Sequence, residues 1–197
     1  MSDAISIPIF PLHTVLFPDG PLPLRVFEPR YLDMISRCMK SNTCFGICLI
    51  REGVEVGKAA STFEMGTTAV IHDWHMRHDG LLGVTVRGER RFRILKDEVQ
   101  ANQLLTANIE YADEEAPCDV PPNYLPLVDV LRDLISQIGY RYTDLPMRFG
   151  DAGWVGYRLA ELLPLRLAQK QYFLQLNDPL QRLERIGAVL ETMNVQL

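Results

Sequence analysis

Glu28-Pro29-Arg30-Tyr31 is the stretch at which the hydrophobic pattern of this chain changes. Before it, short apolar runs are interrupted by prolines, which is typical of sheet edges because proline has no N–H to donate to a central ladder. After it, apolar residues recur at helical spacing, and proline is well tolerated as the first helical residue. The pattern predicts strands, one crossover helix that starts at Pro29, and a strand over 45–50.

The same stretch carries opposite charges among apolar neighbours. Such charges need pairing or hydrogen bonds if they are buried. We therefore expect Glu28 and Arg30 to connect the helix start to the strands. The residues to which we assign a structural role are Pro11, Phe17, Pro18, Glu28, Pro29, Arg30 and Tyr31.

Composition indicates a folded globular chain. It has 197 residues, of which 47% are hydrophobic and 23% charged, and a net charge of −5. The mild negative charge argues against a general nucleic-acid or anionic-membrane binder. Apolar runs are shorter than the roughly 20 residues of a membrane span. The first residues lack the pattern of a secretory signal, and no CxxC pair occurs among the four cysteines, so we expect a cytoplasmic protein with reduced thiols.

Downstream of the helix, alternating and apolar runs predict several short strands as far as residue 111. Asp79-Gly80 predicts a hairpin, and Gly88-Glu89 predicts a second turn. Six or more short strands with one crossover helix are typical of a small closed β-barrel, since closure removes the sheet edges.

Residues 113–122 contain four acids, no base and three prolines, which predicts a linker. Beyond it the period becomes helical, with Asp151 and Asp178 as candidate N-caps and Gly139 as a candidate C-cap. The predicted organisation is therefore an α+β chain. A β-barrel with one crossover helix occupies 1–112, a linker 113–122 and an α-helical bundle 123–197.

No sequence motif indicates catalysis. The segment Gly53–Lys58 has the wrong glycine spacing for a phosphate-binding loop, and Ala59 stands where a magnesium-binding hydroxyl is required. Strand geometry places His72 and His75 on opposite faces, which does not favour a metal site. No hydrolase or metalloprotease signature occurs. We predict no cofactor, no metal and no enzymatic activity.

The basic segment Arg87–Arg93 carries four arginines with Phe92 among them. Arginines interleaved with an aromatic residue on a strand could contact RNA. The alternative is that Phe92 and Ile94 face the core while Arg91 and Arg93 face water or pair with carboxylates.

A second candidate surface is apolar. Trp74 and Met76 are same-face neighbours in a predicted strand, and Phe63 and Met65 lie in the preceding predicted loop. Together these four residues could form an adaptable peptide-binding surface, because methionine repacks against varied partners. Alternatively, they close one end of the barrel core.

Several ordered elements of the first 112 residues resemble the Lon protease N-terminal domain family. These elements are Pro8–Leu12, Val15–Pro18, Leu22–Leu24, Val26–Tyr31, Phe45–Ile47, Gly66–Ala69, Asp79-Gly80 and Gly88–Ile94. Two later stretches, Tyr157–Pro164 and Lys170-Gln171, resemble the family's helical part.

The resemblance implies a PUA-like β-barrel followed by helices, and a role in protein quality control through recognition of unfolded or extended polypeptide segments or of a partner protein. It implies no catalytic residues, because those of full-length Lon proteases belong to separate ATPase and peptidase domains. We expect a stand-alone member without those domains. RNA binding through Arg87–Arg93 is the alternative, and the oligomeric state stays open.

Overall fold

The computed structural model describes residues 5–138, 142 and 145–193 of a chain with a mixed α/β fold. The chain divides into two compact units, 1–112 and 113–197. Among the helices that the structure describes, none has the length and apolar character needed to cross a membrane.

The first unit contains seven strands and one helix in the described part of the chain. The strands are β1 (Ile5–Leu12), β2 (Pro21–Val26), β3 (Phe45–Glu52), β4 (Ser61–Thr62), β5 (Met65–Met76), β6 (Leu82–Val99) and β7 (Leu105–Tyr111). The predicted crossover helix is α1 (Pro29–Ser41), and Pro29 occupies its first turn.

Strand pairing follows a circuit. β1 pairs antiparallel with β7, β7 with β6, β6 with β5 and β5 with β3, while β3 pairs in parallel with β1. The crossover through α1 makes the parallel pair possible, because parallel neighbours need a long connection between them. β2 lies beside β6, and the two-residue β4 lies beside β3.

The helix α1 covers one of two apolar clusters among the described residues of this unit. Its buried residues Tyr31, Met34, Ile35 and Cys38 belong to the same cluster as side chains from β1, β2, β3, β5 and β6. The Phe10 and Tyr31 rings are stacked with their centroids 4.0 Å apart. This contact fixes the start of α1 against β1.

The expected ion pair at the start of α1 is present. Arg30 is 4% exposed, and its NH2 lies 3.1 Å from Glu28 Oε2. Its NH1 donates to the backbone carbonyl of Gln103 at 2.7 Å, and the guanidinium lies 4.6 Å from the Tyr31 ring centroid. The guanidinium therefore joins the helix start to the connection between β6 and β7.

The predicted turn at Gly88-Glu89 is wrong, because β6 runs through it without interruption. Gly88 exchanges backbone hydrogen bonds with Asp19 and Gly20, and a Cβ at this position would lie 2.2 Å from the Phe17 carbonyl oxygen. The glycine permits a close approach between two backbones. The hairpin at Asp79-Gly80 is present, with Gly80 at φ 76°.

The second unit is helical. It contains α2 (Leu125–Ile138), α3 (Ala152–Leu162), α4 (Leu167–Gln175) and α5 (Pro179–Thr192). Both predicted N-caps are confirmed, since Asp151 accepts hydrogen bonds from the first turn of α3 and Asp178 from that of α5. α3 packs against the other three helices. The predicted cap Gly139 lies outside the described residues.

A charged cluster lies inside the second unit. Arg182 and Arg158 are fully buried. Arg182 makes a bidentate ion pair with Glu115, which also accepts from the Tyr157 hydroxyl. Segment 113–122 is thus hydrogen-bonded within the second unit, where Cys118 also accepts from the backbone of Ala152. Its role as a separator of two domains stays a prediction.

Candidate functional site

The structure does not bring the four predicted peptide-binding residues together. Met65 is 7% exposed and begins β5, which starts earlier than the sequence predicts, and Phe63 is half-buried just before it. Trp74 and Met76 lie at the other end of the same strand, roughly 30 Å from Met65 at about 3.3 Å per residue. The prediction that all four form one surface is therefore wrong, because Met65 fills the interior and its strand separates the two pairs.

Trp74 and Met76 are the exposed members of the set, at 56% and 67%. Trp74 pairs across the sheet with Val84, which in turn pairs with Leu24 on β2. Directly opposed residues of antiparallel strands project to the same face. Because Val84 and Leu24 belong to the core cluster, Trp74 continues that apolar face toward solvent.

The neighbouring rows follow the same register. Met76 pairs with Leu82, which pairs with Val26, and Ile71 pairs with Val86, which pairs with Leu22. We call this three-stranded apolar set the β2–β6–β5 face; its members are Leu22, Leu24, Val26, Ile71, Trp74, Met76, Leu82, Val84 and Val86. Trp74 and Met76 are its exposed members, whereas Leu24, Val26, Val84 and Val86 are buried. Its β2 residues Leu22, Leu24 and Val26 also line a cavity.

This cavity has a volume of about 360 Å³ and lies between β1, β2, the start of α1 and a loop after β3. We call it the β2–α1 groove. Its apolar walls come mainly from Phe10, Leu12, Leu22, Leu24 and Tyr31. Phe27 and Val56 stand at its rim with 46% and 52% of their surfaces exposed. A groove of this size and lining accommodates a large apolar side chain.

A loop flanked by two glycines forms the remaining wall. Gly53 and Gly57 have φ values of 112° and 95°, a conformation that glycine adopts without steric strain. Glu55 Oε1 accepts from the His13 backbone N–H at 2.6 Å, and Glu28 Oε2 accepts from the Gly57 N–H at 3.2 Å. We call residues 53–57 the 53–57 loop.

Both carboxylates face the groove, together with Tyr31. Burial raises the pKa of the Tyr31 hydroxyl to about 12; the Arg30 charge lowers it, and the charges of Glu28 and Glu55 raise it further. The hydroxyl therefore stays protonated at neutral pH and can donate a hydrogen bond.

Sequence reasoning missed the groove, because its walls come from separate parts of the chain. A signal was nevertheless present at its rim. Phe27 directly follows β2, and Val54 and Val56 alternate with charged and glycine positions in a stretch without other apolar residues. Apolar residues in a short polar loop are unusual enough to suggest a surface with a partner.

The basic strand is largely occupied by contacts within the protein. Arg87 pairs with Asp19 at 3.0 Å, and the Arg90 guanidinium lies 4.1 Å from the Tyr111 ring centroid. Arg91 is 5% exposed, so its side chain is buried and does not face water. Phe92 is buried as expected, and Arg93 is exposed. The RNA-binding alternative gains no support from this geometry.

The thiols of the first unit are poor nucleophiles. Burial raises the pKa of Cys38, Cys44 and Cys48, which disfavours the reactive thiolate. All four cysteines of the chain are free. Within residues 5–138, 142 and 145–193, no group of three or more histidine, cysteine, aspartate or glutamate side chains could hold a metal ion.

Comparison with known proteins identifies a family. Residues 6–192 match the family model described as the ATP-dependent protease La (LON) substrate-binding domain. The chain is 27% identical to the Lon protease of Flavobacterium johnsoniae over 203 residues, covering 98% of this chain and 24% of that protein. It is 24% identical to the Lon protease of Dictyoglomus thermophilum, covering 91% of this chain and 23% of that protein. The chain spans about a quarter of the length of the curated relatives it matches.

Solved structures are similar over nearly the whole chain. A Lon N-terminal domain protein from Xanthomonas campestris matches with a TM-score of 0.77 and 36% identity, covering 93% of this chain and 98% of that chain. The N-terminal domain of the Mycobacterium avium complex Lon protease matches with a TM-score of 0.62 and 17% identity, covering 98% of this chain and 100% of that chain. The second similarity concerns the fold alone.

Proposed function

The chain belongs to the LON substrate-binding domain family, and on that premise we propose that its first unit binds extended polypeptide segments through the β2–α1 groove and the adjoining β2–β6–β5 face. The observation that carries this proposal is the shared register of Trp74, Val84 and Leu24. It joins an exposed aromatic side chain to the wall of an apolar cavity.

Recognition would rely on side chains more than on strand pairing. β2 carries Pro21 and Pro23, which lack the N–H groups that an added strand would need. The groove and Trp74 instead offer separate positions for apolar side chains. Trp74 is two strands away from β2, or about 10 Å at the usual strand spacing, which an extended segment of a few residues can span.

The proposal includes a non-enzymatic role in protein quality control. It also includes a PUA-like β-barrel, supported by the circuit of pairings from β1 through β7, β6, β5 and β3 back to β1. The cytoplasmic location expected from the sequence remains part of the same proposal.

The test is binding of the protein to an array of short extended peptides of varied apolar content. We expect weak binding of roughly micromolar order, about −8 kcal/mol, to peptides with large apolar side chains. Trp74→Ser should weaken binding at least several-fold, because aromatic anchors dominate such interfaces. The same sample should hydrolyse neither peptides nor nucleotides.

Leu95→Ser supplies the matched control. Leu95 and Trp74 are both 56% exposed, but Leu95 lies outside the β2–β6–β5 face, near the other end of β6. Both variants must retain the circular dichroism spectrum of the wild type. Equal loss of binding in the two variants would show that exposed apolar area, and not this face, attracts peptides. An array without binding to the wild type would refute the proposed function.

A further inference from the structure

We propose that the β2–α1 groove selects segments in which a cationic side chain, arginine or lysine, lies close to the apolar anchor. This inference rests on the proposed function and adds a charge preference to it. The residue that determines the preference is Glu55, which lines the groove from the 53–57 loop.

Three charged side chains line the groove, and two of them are compensated within the protein. Glu28 forms an ion pair with Arg30, with 3.1 Å between NH2 and Oε2. Arg25 pairs with Asp79, with 3.4 Å between NH2 and Oδ2. Each of these pairs is neutral overall, so neither adds much net electrostatic potential to the groove.

Glu55 differs because its partner is neutral. Its Oε1 accepts a hydrogen bond from the backbone N–H of His13 at 2.6 Å. Within the described part of the chain, no arginine, lysine or histidine side chain forms an ion pair with it. The groove therefore carries one uncompensated negative charge beside its apolar walls, and its natural complement is a cation.

Arginine and lysine suit such a site for a second reason. Their methylene stems pack on apolar surface while the charged head reaches a polar partner. Phe27 and Val56 provide exposed apolar surface at the rim next to Glu55. Glu55 Oε2 is available for the charged head, because Oε1 is the oxygen that faces His13.

The backbone hydrogen bond makes the position of Glu55 definite. It holds the carboxylate at one place in a loop whose ends, Gly53 and Gly57, would otherwise allow motion. A fixed charge discriminates between ligands better than a mobile one, because less side-chain entropy is lost on pairing. The glycine-flanked loop thus presents a preoriented acceptor.

The experiment uses matched fluorescent peptides that share an apolar anchor and differ at one neighbouring position. That position is arginine, citrulline or glutamate; citrulline preserves the shape of arginine and removes its charge. Anisotropy titrations measure the affinity of each peptide for the wild type, Glu55→Gln and Glu64→Gln. Glu64 is an exposed carboxylate outside the groove, so its variant reproduces the change in net charge alone.

We expect the wild type to bind the arginine peptide about three- to fivefold more tightly than the citrulline peptide, as for a partly exposed ion pair. The preference should shrink with added salt. Glu55→Gln should bind both peptides with the affinity of the citrulline complex, since the amide oxygen can still accept from His13. Glu64→Gln should keep the wild-type preference.

Equal binding of the arginine and citrulline peptides by the wild type would overturn this inference while leaving the proposed function in place. The same holds if the preference survives in Glu55→Gln or disappears equally in Glu64→Gln. If no peptide binds the wild type, the proposed function fails, and the charge preference fails with it.

Discussion

Arg30 in the first unit and Arg182 in the second are both buried, but they are held in different ways. Arg30 in the first unit pairs with a glutamate two positions before it, and that glutamate keeps 16% of its side chain exposed. Arg182 in the second unit pairs with Glu115, which lies 67 positions away and is 11% exposed. Arg182 itself is fully buried.

The difference extends to the remaining guanidinium donors. Arg182 also donates from Nε to the Phe173 carbonyl at 3.1 Å and from NH2 to the Leu176 carbonyl at 2.6 Å. Its Cζ atom lies 3.9 Å from the Tyr157 ring centroid. Arg182 thus links α5 to α3, to the end of α4 and to the segment before α2. The comparison suggests that the first pair orients one helix start, while the second holds a whole unit together.

The largest effect is expected from Glu115→Ala. This change leaves a buried guanidinium without its carboxylate, which costs about 3–5 kcal/mol in unfolding free energy. Urea denaturation should be followed by the fluorescence of Trp154, which lies in α3, in a Trp74→Phe background where it is the remaining tryptophan.

Asp129→Ala provides the control, since Asp129 pairs with Arg132 at 3.7 Å with both side chains more than half exposed. Its unfolding free energy should change by no more than about 1 kcal/mol. An unchanged urea midpoint in Glu115→Ala would remove the distinction between the two arginine sites.

A smaller loss is expected from Arg30→Ala, about 2–3 kcal/mol, because the partner Glu28 can recover hydration and keeps its hydrogen bond from Gly57. Urea denaturation by circular dichroism measures the loss, while Trp154 fluorescence should show the second unit unchanged. Arg37→Ala on the exposed side of α1 is the control. A loss equal to that of Glu115→Ala would mean that the extent of burial does not separate the two sites.

A contact can be predicted from the sequence when the residues that make it lie only a few positions apart in the chain. The Glu28–Arg30 pair and the caps Asp151 and Asp178 were predicted because each acts within a few positions of its partner. The contact between Glu115 and Arg182 is not encoded locally, and the acidic, proline-rich composition around Glu115 instead suggested a solvated linker.

The candidate site shows the same limit. Strand alternation, which is a local property, predicts that Trp74 and Met76 share one face; their exposure is visible only in the structure. The groove was not predicted, because three separate stretches of the chain, 10–14, 22–31 and 55–56, form it. The register that connects the groove to Trp74 through Val84 was not predicted either. The turn predicted at Gly88 is wrong because the glycine is instead required by the close approach of the Phe17 backbone, which lies in a distant part of the chain.

Two Gly→Ala changes test this point with opposite expected signs. Gly88→Ala should destabilise the first unit by about 1–3 kcal/mol, because the new methyl group meets backbone at 2.2 Å. Gly187→Ala in α5 should stabilise the second unit by about 0.5–1 kcal/mol, because alanine favours helix and, in the described part of the chain, no atom beyond its chain neighbours and the helix backbone lies within 4 Å of its Cβ position. Thermal unfolding of both variants measures the two shifts. A stable Gly88→Ala would contradict the close approach of the two backbones.

The smallest effect concerns Tyr31, the aromatic residue next to Arg30, and appears only at alkaline pH. Burial raises the pKa of its hydroxyl from 10.0 to about 12, so the folded state holds the proton more tightly than the unfolded chain. Its contribution to stability is therefore complete below pH 10 and is lost as the pH rises through about 12.

Tyr31→Phe has no such proton, and its unfolding free energy should fall less than that of the wild type over this interval. Tyr172→Phe in the second unit, where the side chain is 45% exposed, controls for the loss of one phenol. Parallel alkaline dependence in all three proteins would show that Tyr31 ionises as an ordinary tyrosine. In that case the groove floor beside Arg30 is more hydrated than its burial indicates, and the first unit differs even more from the enclosed site around Arg182.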